Sequence, residues 1–136
     1  MAIVNDNIFT RLSGIVALTS LVPSTRIYSG KAIQGTGVPF IVIQRVSTER
    51  VGNLSGPSGL SFVRFQFDAY ANDYESAKAI ADQIRFALDG YVQGNNNEQI
   101  RFGRVLDEGD SVDNSTGALL HRCRIDAAIT HREATS

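Results

Sequence analysis

The sequence is poor in the residues that build covalent or metal-centred sites, because it has one cysteine and two histidines. The single thiol, Cys123, falls in an apparent strand and has no partner for an internal disulfide, so the core must hold the fold and we expect a buried, inert thiol. No apolar run approaches the ~20 residues that a membrane helix needs. The formal net charge of -1 gives no field that favours nucleic acid or an anionic membrane.

The few candidate catalytic residues lack the spacing that a reaction centre needs. His121 lies in the middle of an apparent strand, His131 lies in the C-terminal tail, and no G-x-S-x-G elbow is present. The histidines and the cysteine do not have zinc-site spacing. We therefore expect no catalytic residue, no cofactor and no metal, and we interpret His121 as a half-buried core residue.

Two segments invite a ligand-binding interpretation that their sequences do not sustain. One is an acidic cluster of Asp107, Glu108, Asp110 and Asp113. It lacks the EF-hand pattern for a hard cation, so we interpret residues 107–117 as a solvated acidic turn. The other is the glycine-containing loop at 30–38, in which G-x-G is followed by Val38, Pro39 and a strand, whereas a dinucleotide loop opens a helix. The lysine of a P-loop is also missing from it.

The best-specified segment runs from Phe67 to Gly90 and predicts a strand that leads into a capped helix. Asn72 and Glu75 have the spacing of a capping box, and Gly90 suits the left-handed conformation that ends a helix. The predicted apolar stripe of the helix consists of Tyr74, Ala77, Ala81, Ile84 and Leu88. This segment specifies packing, so function must come from surfaces and partners.

The whole pattern predicts a single α+β domain over residues 1–136. We expect a two-layer sandwich in the order αβββαββ, with an antiparallel or mixed sheet of about five strands and two helices packed on one face. The first helix should run from Asn5 or Asp6 to about Leu21, and a long hairpin connection should span 51–59. The predicted strands are Thr25–Ser29, Phe40–Thr48, Leu60–Ala71, Ile100–Leu106 and Leu119–Thr130, and the second helix is Asn72–Leu88.

If helices cover one face of this sheet, polar residues occupy the other face, and most of them are charged, with both signs present. They are Arg64, Gln66, Asp68, Arg122, Arg124 and Asp126. One interpretation is a solvated sheet face, which antiparallel sheets permit. The other is a subunit contact through arginine–carboxylate pairs, whose fork geometry fixes register. The pattern leaves both open.

Short motifs follow one another in a recognisable order. They are Arg26-Ile27-Tyr28 before a glycine, Gln34-Gly35, Pro39-Phe40 at the start of a strand, Leu54-Ser55-Gly56, Phe67-Asp68-Ala69-Tyr70, Tyr74, Ala77, Leu88-Asp89-Gly90, and a closing strand from Arg122 to Ile129 that contains Arg124 and Asp126. In this order and spacing, which cover nearly the whole chain, the sequence resembles the tailed-bacteriophage tail-completion family of tail-to-head joining and tail-terminator proteins. It departs from the pattern at Ile33, where a proline is expected.

The resemblance implies a non-enzymatic structural virion protein that caps the head-proximal end of the tail tube and joins the tail to the head connector. It implies a homo-oligomeric ring, hexameric in the expected case, with the tail-tube protein and the connector or neck protein as partners. DNA would pass through the ring without sequence-specific contacts. The expected location is the virion tail, with assembly in the host cytoplasm. The expected subunit contacts are Arg26, Tyr28, Leu54, Arg64, Asp68, Arg122, Arg124 and Asp126.

Two alternatives stay open at this point. In the first alternative, the chain is another neck or tail-tube subunit of the virion. In the second, it is a small soluble ligand-binding or enzymatic α+β domain. The second alternative requires a concave apolar pocket with convergent polar groups, for which His121 and the acidic cluster are the available residues.

Overall fold

The computed structural model describes residues 2–30, 37–53, 56–91, 100–113 and 119–132. The helices are α1 (Ala2–Ser13), α2 (Val16–Thr19) and α3 (Tyr74–Leu88), and a short 3-10 turn covers Ser24–Arg26. The strands are β1 (Ile27–Ser29), β2 (Phe40–Asn53), β3 (Gly56–Ala71), β4 (Ile100–Asp113) and β5 (Leu120–Arg132).

The five strands form one mixed sheet in the order β1-β2-β3-β5-β4. β1 runs parallel to β2, whereas the other neighbouring pairs are antiparallel. α3 packs across β3 and β5, and α1 and α2 contact α3. The predicted α+β fold with a five-stranded sheet and helices on one face is therefore confirmed, with a mixed sheet.

Side chains from the helices and from one face of the sheet share a single hydrophobic cluster. Its largest members are the fully buried Phe65 and Phe67 of β3, which alternate with polar neighbours along the strand. Ile125 of β5 and Ile84 of α3 are also fully buried. Burying one such side chain stabilises the fold by about 1.5–3 kcal/mol, so this layer supplies the main stabilisation.

The first helical segment differs from its prediction, because it is broken after Ser13. Ile15 adopts an extended conformation with φ -89° and ψ 109°, and the short helix α2 follows it. Glycine at position 14 has low helix propensity, which lowers the cost of the break. Leu12 before the break and Leu18 after it are both fully buried. The described residues therefore form three α-helices, where two were predicted.

The start of α3 also corrects the sequence analysis. Asp73 is the N-cap, and its side chain accepts a hydrogen bond of 2.8 Å from the backbone N–H of Ser76. The capping box that Asn72 and Glu75 suggested is therefore wrong by one residue. Tyr74 is 45% exposed and lies off the buried stripe. Gly90, as predicted, takes a positive φ of 78° after the helix.

Two predicted turn regions are strand. β2 and β3 stay paired as far as Asn53 and Gly56, so the long connection predicted at 51–59 is wrong. The acidic turn predicted at 107–117 is wrong over its first part, because β4 stays paired with β5 as far as Asp113. Both segments are polar or glycine-rich, so their sequences resemble turns although the strands stay paired there. Residues 31–36 of the predicted loop lie outside the described residues.

Candidate subunit-contact face

The helix-free face of the sheet collects the charged residues that the alternation predicts. Phe65 and Phe67 point into the helical layer, which places their strand neighbours on the opposite face. The β3–β5 register brings Asp68 opposite Arg124 and Gln66 opposite Asp126. Of the predicted contact residues, this face therefore holds Arg64, Asp68, Arg122, Arg124 and Asp126.

Asp68 is the buried anchor of this face, because its side chain is only 5% exposed. Its Oδ1 accepts a hydrogen bond of 2.9 Å from Nε of Arg122. Nε2 of Gln66 donates to both oxygens of the same carboxylate, at 3.0 and 3.2 Å. A carboxylate so far from solvent is costly unless it is paired and hydrogen-bonded, so Gln66 and Arg122 hold it in place.

Arg124 lies between two carboxylates. Its Nη2 donates to Oδ2 of Asp107 at 3.2 Å, and its Nε lies 3.2 Å from Oδ2 of Asp126. The second contact has ion-pair distance without hydrogen-bond geometry, so this buried N–H has no hydrogen-bond partner among the described residues. Gly109 provides the space for the guanidinium, because a Cβ at that position would lie 2.9 Å from Nη2.

An aromatic row extends the face towards β1. The rings of Tyr28 and Phe40 meet edge to face with centroids 6.4 Å apart, and Phe40 stacks on Tyr70 at 4.7 Å. Such pairs contribute about 0.5–1.5 kcal/mol beyond their buried area. Sequence analysis named Tyr28 but missed Phe40 and Tyr70. The strand alternation could have placed Tyr70 on this face, because Phe67 and Ala69 face the helices and Tyr70 therefore lies on the same side as Asp68.

The other predicted contact residues have separate positions. Nη1 of Arg26 donates to the backbone carbonyl of Val38 at 3.2 Å, so this arginine ties the start of β1 to the segment that leads into β2. Arg64 is exposed, and its register partners are Ala128 of β5 and Ser47 of β2. Leu54 lies outside the described residues.

The thiol and the histidine that an enzymatic interpretation would use, Cys123 and His121, both lie in β5. Cys123 is buried on the helical side, and its desolvation raises the pKa of the thiol to about 12. His121 is half-buried in β5, as predicted. Within the described residues, no group of three or more His, Cys, Asp or Glu side chains is placed to hold a metal ion. In the same part of the chain, no helix has the length and apolar character to cross a bilayer.

Two acidic residues of β4 contact α3. Glu108 pairs with Nζ of Lys78 at 3.3 Å. Oδ2 of Asp110 accepts a hydrogen bond of 3.2 Å from the Tyr74 hydroxyl. The neighbouring Asp110 carboxylate raises the pKa of Tyr74, since it disfavours a second negative charge. These contacts explain why Tyr74 is directed outwards from α3.

A groove of about 430 Å³ lies where α3 begins. Leu21, Pro39, Ala71 and Ile80 supply much of its apolar lining. Two acidic residues, Asp73 and Glu75, also line it. Asp73 caps α3, and the hydrogen bond from the Ser76 backbone lowers the pKa of that carboxyl. Neither histidine nor the cysteine is among the described residues that line this groove.

These observations define a two-layer domain whose sheet carries a paired, charged face on the side away from the helices. The sequence matches the family described as "Tail completion protein gp17" over residues 6–130. The chain belongs to this family, and it is a structural protein of the virion tail.

A solved structure described as "Virion of native gene transfer agent (GTA) particle" contains a chain with the same fold. The match covers 93% of this chain and 92% of that chain, with a TM-score of 0.76 and 14% sequence identity. At this identity the likeness establishes the fold. No curated protein sequence matches this chain.

Proposed function

We propose that this protein closes the head-proximal end of the tail tube and joins the tail to the head connector, as a ring of copies. The observation that carries the proposal is the family match over residues 6–130. The shared fold with a chain of a gene transfer agent virion supports it, because that chain is part of an assembled virion particle.

The helix-free face suits a role in which protein surfaces meet. Asp68 and Arg122 are fixed before any partner arrives, so little ordering entropy is lost when the face is covered. Arg124 and the exposed Arg64 offer further donors for carboxylates of a neighbouring subunit. A ring requires a heterologous interface that closes on itself, and a face with charges of both signs fits such an interface.

Omission of the protein during particle assembly tests the proposal. Tails of irregular length, or tails that do not attach to heads, are expected, and supply of the wild-type chain should restore normal particles. Normal, infectious particles in its absence would contradict the proposal. Native mass spectrometry of the purified chain across concentration tests the ring itself, with six copies as the expected mass.

A matched pair of variants tests the face. Arg64→Glu reverses an exposed charge on the helix-free face, whereas Arg85→Glu reverses a partly exposed charge on α3. If the helix-free face meets neighbouring subunits, Arg64→Glu should lower the yield of joined particles at least tenfold, and Arg85→Glu should leave it near the wild-type yield. If the two substitutions lowered the yield equally, the helix-free face would not be a contact with neighbouring subunits.

A further inference from the structure

The described residues cover each of the two outer edges of the sheet over only part of its length. On one side, the short strand β1 pairs with residues 41–43 of β2. The backbone N–H of Gly30 then donates to the carbonyl of Ile43 at 2.7 Å. Within the described residues, no further backbone hydrogen bond covers the outer side of β2 from Gln44 to Asn53.

On the other side, the segment after α3 covers the beginning of β4. The backbone of Gly103 exchanges hydrogen bonds of 2.8 Å with the N–H of Gly90 and the carbonyl of Tyr91. The N–H of Val105 donates to Oδ1 of Asp89 at 3.1 Å. A side chain at Gly103 would collide with the Leu88 carbonyl, so glycine permits this approach. In the described part of the chain, this backbone cover stops before Leu106–Asp113.

The register shows which backbone groups of this stretch point outwards. Gly103 and Val105 point outwards and lie opposite Ile129 and Ala127 of β5. In an antiparallel pair the outward-pointing residues recur at every second position of the partner strand. Beyond the register shift after Val105, the next such positions of β5 are 125, 123 and 121. They lie opposite Glu108, Asp110 and Val112 of β4. The N–H groups of these three β4 residues therefore face away from β5.

The same reasoning applies to the uncovered stretch of β2. The backbone carbonyl of Ile43 points away from β3, because it accepts the hydrogen bond from Gly30. The backbone groups of Arg45, two residues further on and opposite Phe65, point the same way. Two residues along β3, Val63 lies opposite Thr48. The backbone of Thr48 therefore points outwards on this edge.

The two uncovered stretches are complementary in direction. β2 and β5 run one way, and β3 and β4 run the other way. If a rotation relates two copies and keeps the helix-free faces on the same side, β4 of one copy lies antiparallel to β2 of the next. Such a contact is heterologous, and repetition closes a ring when the rotation is a whole fraction of a turn.

The stretches are also complementary in charge. The β2 stretch carries two arginines and one glutamate, whereas the β4 stretch carries four acidic residues and no basic one. Two β4 edges would place acidic residues opposite one another, which is unfavourable. Each stretch also exposes apolar side chains, with Val46 59% exposed on β2 and Val112 56% exposed on β4. An exposed, unpaired strand is a template for pairing with another chain.

We propose that Leu106–Asp113 of β4 in one copy pairs antiparallel with Gln44–Asn53 of β2 in the next copy, so that the sheet continues from subunit to subunit around the ring. This inference rests on the proposed ring function and identifies the surface that builds the ring. The acidic residues of β4 then have a specific role, because they oppose symmetric β4–β4 dimers and favour the mixed contact.

Proline at an outward position tests the proposal, because it removes one N–H donor without breaking the β4–β5 ladder. Val112→Pro blocks the β4 edge, and Val112→Thr is the matched control that keeps the N–H. Thr48→Pro blocks the β2 edge, and Thr48→Val is its control. Circular dichroism and thermal unfolding identify the variants that keep the fold. If one proline variant does not fold, the other edge carries the test.

In native mass spectrometry, each proline variant should form less than a tenth of the amount of ring that the wild type forms. Each control variant should form as much ring as the wild type. A mixture of the two proline variants should form 1:1 dimers, because each partner contributes the edge that the other lacks. Folded proline variants that form rings at the wild-type level would overturn the proposal.

Complementation of particles assembled without the protein separates this inference from the proposed function. If the wild-type chain restores joined tails and the folded proline variants restore them equally well, edge pairing is wrong although the function stands. If particles are normal without the protein, the function itself is wrong. Restoration by the wild type and the controls, without restoration by the proline variants, supports both.

Discussion

The two faces of the same sheet are built by opposite rules. Phe65, Phe67 and Ile125 on the helical side are fully buried and wholly apolar. On the helix-free side, Asp68 is almost as buried, but it is a carboxylate held by an arginine and an amide. The helical face is stabilised by apolar side chains of suitable volume and shape. The helix-free face requires hydrogen-bonding and charged partners at defined distances.

This difference separates folding from assembly. Non-directional burial stabilises a domain even when details of packing vary. A charge network has a defined geometry, and it adds little net stability relative to an apolar alternative. We infer that the helical face holds the subunit together, whereas the helix-free face and the sheet edges are the surfaces through which the tail protein meets its neighbours.

The largest expected effect comes from the helical face. Phe67→Ala should lower the free energy of unfolding by about 3–5 kcal/mol, because it removes a fully buried ring and leaves a cavity. Phe86→Ala is the matched control, because that ring is 59% exposed on α3, and its loss should stay within about 1 kcal/mol. Urea unfolding measures both. Similar losses for the two phenylalanines would contradict the account of the core.

A smaller loss is expected on the helix-free face. Asp68→Asn should destabilise the fold by about 1–3 kcal/mol, because it removes the charged partner of Arg122 from a nearly dry position. Asp82→Asn is the control, since Asp82 makes partly exposed pairs with Lys78 and Arg85 that are worth ~0–1 kcal/mol. If the two substitutions lower the free energy of unfolding in urea by the same amount, Asp68 is not the anchor of this face.

The attachment of the helical layer gives a test that depends on pH. The pKa of Asp73 is lowered from 3.8 in the folded protein by its hydrogen bond from Ser76. Its ionised form therefore contributes stability above pH 3.8 that is lost as the pH falls through the lower folded value. Asp73→Ala should lower the melting temperature at pH 7 and reduce its fall between pH 5 and pH 2. Asn72→Ala should change neither, and a larger effect of Asn72→Ala would restore the capping box.

The smallest effect concerns the thiol of the helical face. Because the pKa of Cys123 is raised from 9.0 to about 12, the folded protein keeps the thiol protonated at a pH where the unfolded chain ionises. Its contribution to stability is complete below pH 9 and is lost as the pH rises from 9 towards 12. A thiol reagent at pH 8 should label the native protein only as fast as it unfolds. Rapid labelling of the native state would show an accessible thiol.

The comparison also explains what the sequence could predict. The strand around Phe67 follows a periodicity that burial imposes, so it was predicted correctly, and the stripe of α3 was predicted correctly except at Tyr74, which is 45% exposed. The break at Ile15 and the extension of β2 and β4 were not, because tertiary pairing decides them and the local residues are polar or glycine. For the contact face, alternation located Asp68 and Arg122 on one side, but it could not show that Gly109 makes room for Arg124 or that Phe40 stacks on Tyr70.

The most direct test of the central claim is the position of this protein in assembled particles. Electron microscopy of virions that carry a label on the protein should show density at the head-proximal end of each tail. Label distributed along the tube, or label absent from the particle, would contradict the account.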